Sequence, residues 1–249
     1  MKIERLSISQ MNVWRRCRRL WHEQYRLNHW PTEKAQPLSF GIAYHTGIEK
    51  LMYCWKEDKQ DVYLGNAIAA FEYEYSLGKN KGPTDRLDYW LKIGGTLITN
   101  TAKLLRQKGF EPLSIEKKCQ RPGFSGRIDC LGKIGDRRIL VDWKTAGRQF
   151  TQKRVDEDEQ LTAYGWMLPG EWDRVAFCVG IKSTCMVYWY ESTRTKQQLQ
   201  EFAEQVKIVR REIEEAEKFP GKHTKRACMA YNHKCDMWCD GHCEGLDSF

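Results

Sequence analysis

No stretch of this sequence approaches the length of an apolar bilayer span, and its first residues, MKIERLSISQ, carry no apolar segment of the signal-peptide kind. It also has no internal repeat and no low-complexity tract. These absences argue against a helical membrane protein and a solenoid, leaving a cytoplasmic protein with no membrane partner as the expectation. Disorder is equally disfavoured, because hydrophobic residues make up 41% of the chain and aromatics 12%, ten of them Trp. What is present is a chain of 249 residues, long enough to bury a sizeable core. Its 41 Lys+Arg outnumber its 33 Asp+Glu, and the resulting +8 favours a polyanionic partner. The ten cysteines are many for such a chain. In a reducing compartment they argue for a metal rather than for disulfides.

Periodicity divides the chain into a helical first section, a sheet-forming middle and a final helix with a cysteine-rich tail. Ser7 and Ser9 precede an amphipathic run, Met11 to Leu27, which predicts one helix with Trp14, Cys17 and Trp21 on its apolar side. Arg15, Arg16, Arg18 and Arg19 form its basic face. A second helix is expected from Ser39 to about Trp55, where Gly41, Ala43 and Gly47 permit close approach around His45, one turn before Glu49. Two scaffold helices follow, Val62 to Tyr75 and Leu87 to Lys108. Strands are expected at Leu113 to Gln120, 126 to 134 and 137 to 143, an antiparallel meander that begins a mixed sheet. Next come a helix from Val155 to Leu168, a strand pair (Arg174 to Gly180, Met186 to Glu191) and a long helix from Lys196 to Lys218. The fold class is therefore α/β of the α+β kind, a mixed central sheet flanked by helices.

Chemistry concentrates in GRIDCLGKIGDRRILVDWKT, Gly126 to Thr145. Asp142 and Lys144 lie two apart on an extended segment and so project to one face, and Asp129 sits on the strand before. Two carboxylates and a lysine at strand ends suit a divalent metal and a phosphodiester. Gln160 and Tyr164, four apart on a helix, share a face.

The ordered set of an N-terminal cysteine, helical His, strand Asp, Asp-x-Lys, Gln-x-x-x-Tyr and C-terminal cysteines resembles the RecB-like, CRISPR-adaptation-type branch of the PD-(D/E)XK nucleases, which includes phage and bacterial exonucleases. The resemblance spans Ser7 to Cys243 and implies one nuclease domain over 1–249, with a helical region at 1–110, the core at 111–195, and the long helix and tail at 196–249. It makes His45, Asp129 and Asp142 metal ligands with the backbone carbonyl of Trp143, and Lys144 the catalytic lysine. Gln160 and Tyr164 order the active site and the DNA strand, and Glu116 matches an acidic position of some relatives. Magnesium takes one or two carboxylates and keeps waters, while an imidazole fits manganese better. Family resemblance also implies an iron–sulfur cluster, four-iron four-sulfur, held by Cys17 and three of the C-terminal Cys228, Cys235, Cys239 and Cys243. The favoured set is Cys17, Cys228, Cys235 and Cys243, with Cys239 as substitute. The spacing departs from the family's usual one, and four thiolates with His233 and His242 nearby also suit structural zinc.

The expected function is a metal-dependent deoxyribonuclease, an exonuclease on single-stranded DNA or DNA ends, in recombination, repair, replication or CRISPR adaptation and alongside proteins of those processes. Arg15, Arg16, Arg18, Arg19, Lys222, Lys225 and Arg226 are expected to track phosphates, and Trp143 and Tyr164 to be available for base stacking. The alternative is a catalytically inactive nuclease fold that binds DNA or serves assembly.

Overall fold

A computed structural model of the protein describes residues 3–30, 35–57, 63–79, 81–222, 224–230, 233–235, 241 and 243. Ser7 opens the first helix by accepting from the Gln10 N–H through its Oγ, but the expected single helix is two: α1 (Ile8–Arg16) and α2 (Arg18–Tyr25). Cys17 between them is extended, at φ −162° and ψ 118°. The break sets Trp14 and Trp21 edge to face at 5.4 Å. It also turns the Cys17 Sγ toward the tail, where it accepts from the Lys222 N–H at 3.4 Å. An amphipathic pattern runs through such a kink without registering it.

Helices α3 (Gln36–Lys56), α4 (Tyr63–Ser76) and α5 (Leu87–Gln107) match the expected ones to within a few residues. Gly47 and Ala43 serve packing rather than access: a Cβ on Gly47 would meet Ile98 at 2.6 Å and Ala43 is fully buried, whereas Gly41 looks toward Thr145. The sheet follows: β1 (Phe110–Arg121), β2 (Phe124–Ile134), β3 (Arg137–Ala146), β4 (Arg174–Ile181) and β5 (Val187–Ser192), in the order β1-β2-β3-β4-β5. Only β3–β4 is parallel. β4, RVAFCVGI, is buried at every residue but the first, as a strand covered on both faces must be.

Two expectations change here. The alternation from Leu113 fails because β1 bulges: Pro112 pairs with Gly132 and Ser114 with Leu131, so Leu113 has no rung and is exposed. The helix expected from Val155 to Leu168 is two, α6 (Gln152–Asp156) and α7 (Glu159–Met167). Asp158 starts α7 anew, its Oδ1 accepting from the N–H groups of Gln160 (2.9 Å) and Leu161 (3.0 Å).

Helix α8 (Lys196–Glu215) carries a Thr195/Gln198 capping box and ends earlier than expected, at extended Ala216. Beyond it lie α9 (Lys225–Cys228) and the short pair β6 (Met229–Ala230) and β7 (His233–Lys234). One core, with α1, α2, α7 and α8, covers one sheet face; the other, with α3, α4 and α5, covers the opposite face. The result is the expected mixed sheet flanked by helices. Among the described residues no helix is long and apolar enough to cross a membrane.

Candidate active site

The β2–β3 ladder ends at Cys130 opposite Val141, so Asp129 and Asp142 are the next residues on the two strands. Asp129 Oδ2 accepts from the Trp143 backbone N–H at 3.0 Å and lies 3.3 Å from His45 Nδ1 on α3. Asp142 is fully buried, and its Oδ2 is 2.7 Å from the Lys144 ammonium. The lysine also donates to Gln160 Oε1 at 2.8 Å. Gln160 Nε2 contacts the Tyr164 hydroxyl at 2.8 Å, and that hydroxyl donates to Asp142 Oδ1 at 2.9 Å. A closed ring of polar contacts therefore joins Asp142, Lys144, Gln160 and Tyr164. It needs the i,i+2 spacing of β3 and the i,i+4 spacing of α7 at once.

Electrostatics fit this geometry. Burial, and then the Asp142 carboxylate, push the Asp129 carboxyl well above its usual range. Burial keeps His45 neutral by lowering its pKa against the pull of Asp142. Burial alone would lower Lys144, but Asp142 overrides it and the net shift is upward, so the amine is an ammonium. Burial and then Asp142 raise Tyr164, keeping the phenol a donor. The Lys144 ammonium balances Asp142, and burial beside Asp142 disfavours a second charge on Asp129 unless another cation stands by it. Together with a neutral imidazole, this oxygen-rich donor set fits a hard divalent cation. Among the described residues, no three His, Cys, Asp or Glu side chains already stand in a metal-holding arrangement. Magnesium is typically held by one or two carboxylates with waters and substrate phosphate oxygens, so it does not demand a cage of three protein ligands.

The centre opens into a cleft of about 350 Å³ whose polar lining includes His45, Glu49, Glu116, Arg127, Asp129 and Lys144. Glu116 sits at φ +51°, in the left-handed region, and pairs with Arg127. Burial, and then Asp129, push its carboxyl up to about 7. Sequence reasoning passed over Glu49 and Arg127 as site residues. Their spacings, four after His45 on a helix and two before Asp129 on a strand, were the available signal.

Other expected residues have different surroundings. Trp143 and Tyr164 are 1% and 2% exposed, so neither offers a ring to a base; Trp143 packs on Phe110 and the Tyr164 hydroxyl is committed to the ring. The arginines of the first two helices are engaged within the protein. Arg15 pairs with Glu159 and Gln205, Arg16 donates to the Ala227 carbonyl, Arg18 lies over Trp14, and Arg19 pairs with Glu23. Arg15, Arg16 and Lys222 nevertheless line a second cavity, of about 480 Å³.

Cys235 and Cys243 pack against the small cluster of Cys17 and Leu20. Burial raises the Cys228 thiol, with Cys243 and Cys17 near enough to add to the effect. The Cys235 N–H donates to the Cys228 carbonyl at 2.7 Å. These four cysteines, from opposite chain ends, lie near one another as free thiols, but among the described residues no three of them stand in a metal-holding arrangement. Cys239 and His242 lie outside the described residues, as does the side chain of His233.

The sheet thus carries two carboxylates and a lysine at neighbouring strand ends, chemistry that suits a divalent cation and a phosphodiester. The chain belongs to the PD-(D/E)XK nuclease superfamily, whose family model matches residues 5–244. Among solved structures, a candidate exonuclease from Eubacterium rectale aligns with a TM-score of 0.53 and 12% identity, over 88% of this chain and 84% of its own. The structure of SSO0001 aligns over 81% of this chain and 86% of its own at 13% identity, with a TM-score of only 0.31. No curated protein matches the chain.

Proposed function

We propose that this nuclease is a cytoplasmic, metal-dependent deoxyribonuclease acting as an exonuclease on single-stranded DNA or DNA ends. The observation that carries the reading is the ring Asp142–Lys144–Gln160–Tyr164 beside Asp129 and His45. Asp129, Asp142, His45 and the Trp143 carbonyl would hold Mg²⁺ or Mn²⁺, with Glu116 beside them. The ion would lower the pKa of a bound water and stabilise charge on the phosphoryl oxygens. The Lys144 ammonium orients the attacking water or neutralises the pentacoordinate transition state. Gln160 and Tyr164 fix the lysine and Asp142 in place for that task. The positive balance of the chain and the basic lining of the Arg15–Lys222 cavity support a nucleic-acid strand as substrate. The description of the Eubacterium rectale protein supports the exonuclease form, and recombination, repair, replication or CRISPR adaptation are the settings such an activity serves.

The test uses end-labelled linear and circular DNA, single- and double-stranded, with Mg²⁺ or Mn²⁺. Shortening of linear DNA from its ends with circles left intact is the expected result. Opened circles, or degradation of RNA alone, would contradict it.

We propose further that Cys17, Cys228, Cys235 and Cys243 hold a four-iron four-sulfur cluster that ties the chain's ends together. Their convergence on Leu20 and the Lys222 backbone supports this. Anaerobically purified protein should be brown and contain iron and sulfide; stoichiometric zinc with a colourless protein would sink the cluster assignment.

A further inference from the structure

Arg194 follows β5 and stands 7% exposed. A buried guanidinium needs acceptors for its five N–H groups, or its desolvation goes uncompensated. Arg194 has all five. Nε donates to Thr162 Oγ1 at 2.7 Å. One terminal nitrogen donates to Ser192 Oγ (2.8 Å) and the Thr193 carbonyl (2.7 Å). The other donates to the carbonyls of Val155 (2.8 Å) and Asp158 (3.1 Å).

Three of these acceptors, Val155, Asp158 and Thr162, lie on the elbow between α6 and α7. Thr162 Oγ1 donates onward to the Asp158 carbonyl at 2.8 Å, and Asp158 caps the N–H groups of Gln160 and Leu161. Gln160, the second residue of α7, therefore projects from the first turn that Arg194 fastens. Its amide must reach Lys144 and Tyr164 together, both at 2.8 Å. Helix α7 is only nine residues long, so an unfastened elbow has little helix to resist a shift.

We propose that Arg194 is a positioning residue for the nuclease centre, acting through the α6–α7 elbow and Gln160 to hold Lys144 against Asp142. It touches neither substrate nor the reacting atoms. Its kinetic consequence rests on the nuclease reading, whereas the fastening of the elbow does not.

The experiment therefore has two arms. Amide hydrogen exchange over residues 155–164 is measured for the wild-type protein and for Arg194→Lys, which keeps the charge but supplies only three donors from one point. Thr162→Val, which removes the Nε acceptor and leaves Arg194 in place, is the second variant and decides alone if Arg194→Lys does not fold. Exchange should rise over the elbow in both. DNA cleavage should fall in kcat by about 10- to 100-fold, because small misplacements near reacting groups are costly. KM should stay within about threefold, since no substrate contact is lost. In a Gln160→Ala background the same substitution should cost little more, since both act through one side chain. Unchanged exchange, wild-type kcat, or losses that add fully to that of Gln160→Ala would each overturn the proposal. An inactive wild type would instead sink the nuclease reading, and exchange alone would then decide the role of Arg194 at the elbow.

Discussion

In the proposed nuclease centre Lys144 carries the positive charge: its ammonium is the only cation of the ring, paired with buried Asp142. Lys144→Ala should lower kcat by about 10²–10³-fold, the usual cost of losing one preorganised electrostatic group, while KM changes little. Steady-state cleavage kinetics check this, and a KM effect alone would contradict it. Glu116 makes a pH prediction. Its folded pKa, raised to about 7 by burial and by Asp129, lies above the ordinary 4.5 of a free glutamic acid. Between those values the folded chain keeps a proton that the unfolded chain has lost, so this group's contribution to stability falls as pH rises through that window. Glu116→Gln should flatten that fall in denaturant titrations of metal-free protein; an unaltered slope would contradict the assignment. The grouping of these side chains is largely legible in sequence, because Asp142/Lys144 and Gln160/Tyr164 obey local spacing rules. Arg194 was not legible, since its acceptors are mostly backbone carbonyls that no residue type announces.

Among the elements, the helical layer depends on close approach of α4 and α5. A Cβ on Gly94 would fall 2.0 Å from the Phe71 ring. Gly94→Ala is therefore expected to destabilise the fold by about 1–3 kcal/mol despite alanine's better helix propensity, the range seen for overpacked cores. Equilibrium unfolding measures it, and a stabilised variant would contradict the packing. Helices of this layer were readable because their apolar stripes are long and uninterrupted. Three other features were not. Cys17 breaks a helix inside an amphipathic run, and Asp158 restarts one inside an acidic run that periodicity reads straight through. The third, the bulge at Leu113, shifts β1 by a residue, which only its pairing with β2 reveals.

At the scale of the molecule, the first helices and the tail meet through a few contacts: the Lys222 N–H on Cys17 Sγ, the Trp14 indole N–H on Glu212, and Arg16 on the Ala227 carbonyl. If a metal joins the four cysteines there, Cys17→Ser should lose bound metal and lower the unfolding temperature while sparing Asp142 and Lys144, which belong to the sheet. Metal analysis with thermal melting checks this, and unchanged metal content would contradict it. The family resemblance already groups Cys17 with the tail cysteines, but the sequence does not show that Cys17 breaks its helix. On the sheet, Asp129, Asp142 and Lys144 are the proposed hydrolytic centre. Its most direct test compares wild type with Asp142→Asn, a change of charge with almost no change of shape, on labelled single-stranded DNA with Mn²⁺ or Mg²⁺. Metal-dependent cleavage by the wild type, and none detectable from a folded variant, is the expected result. Equal product patterns from the two proteins would contradict it.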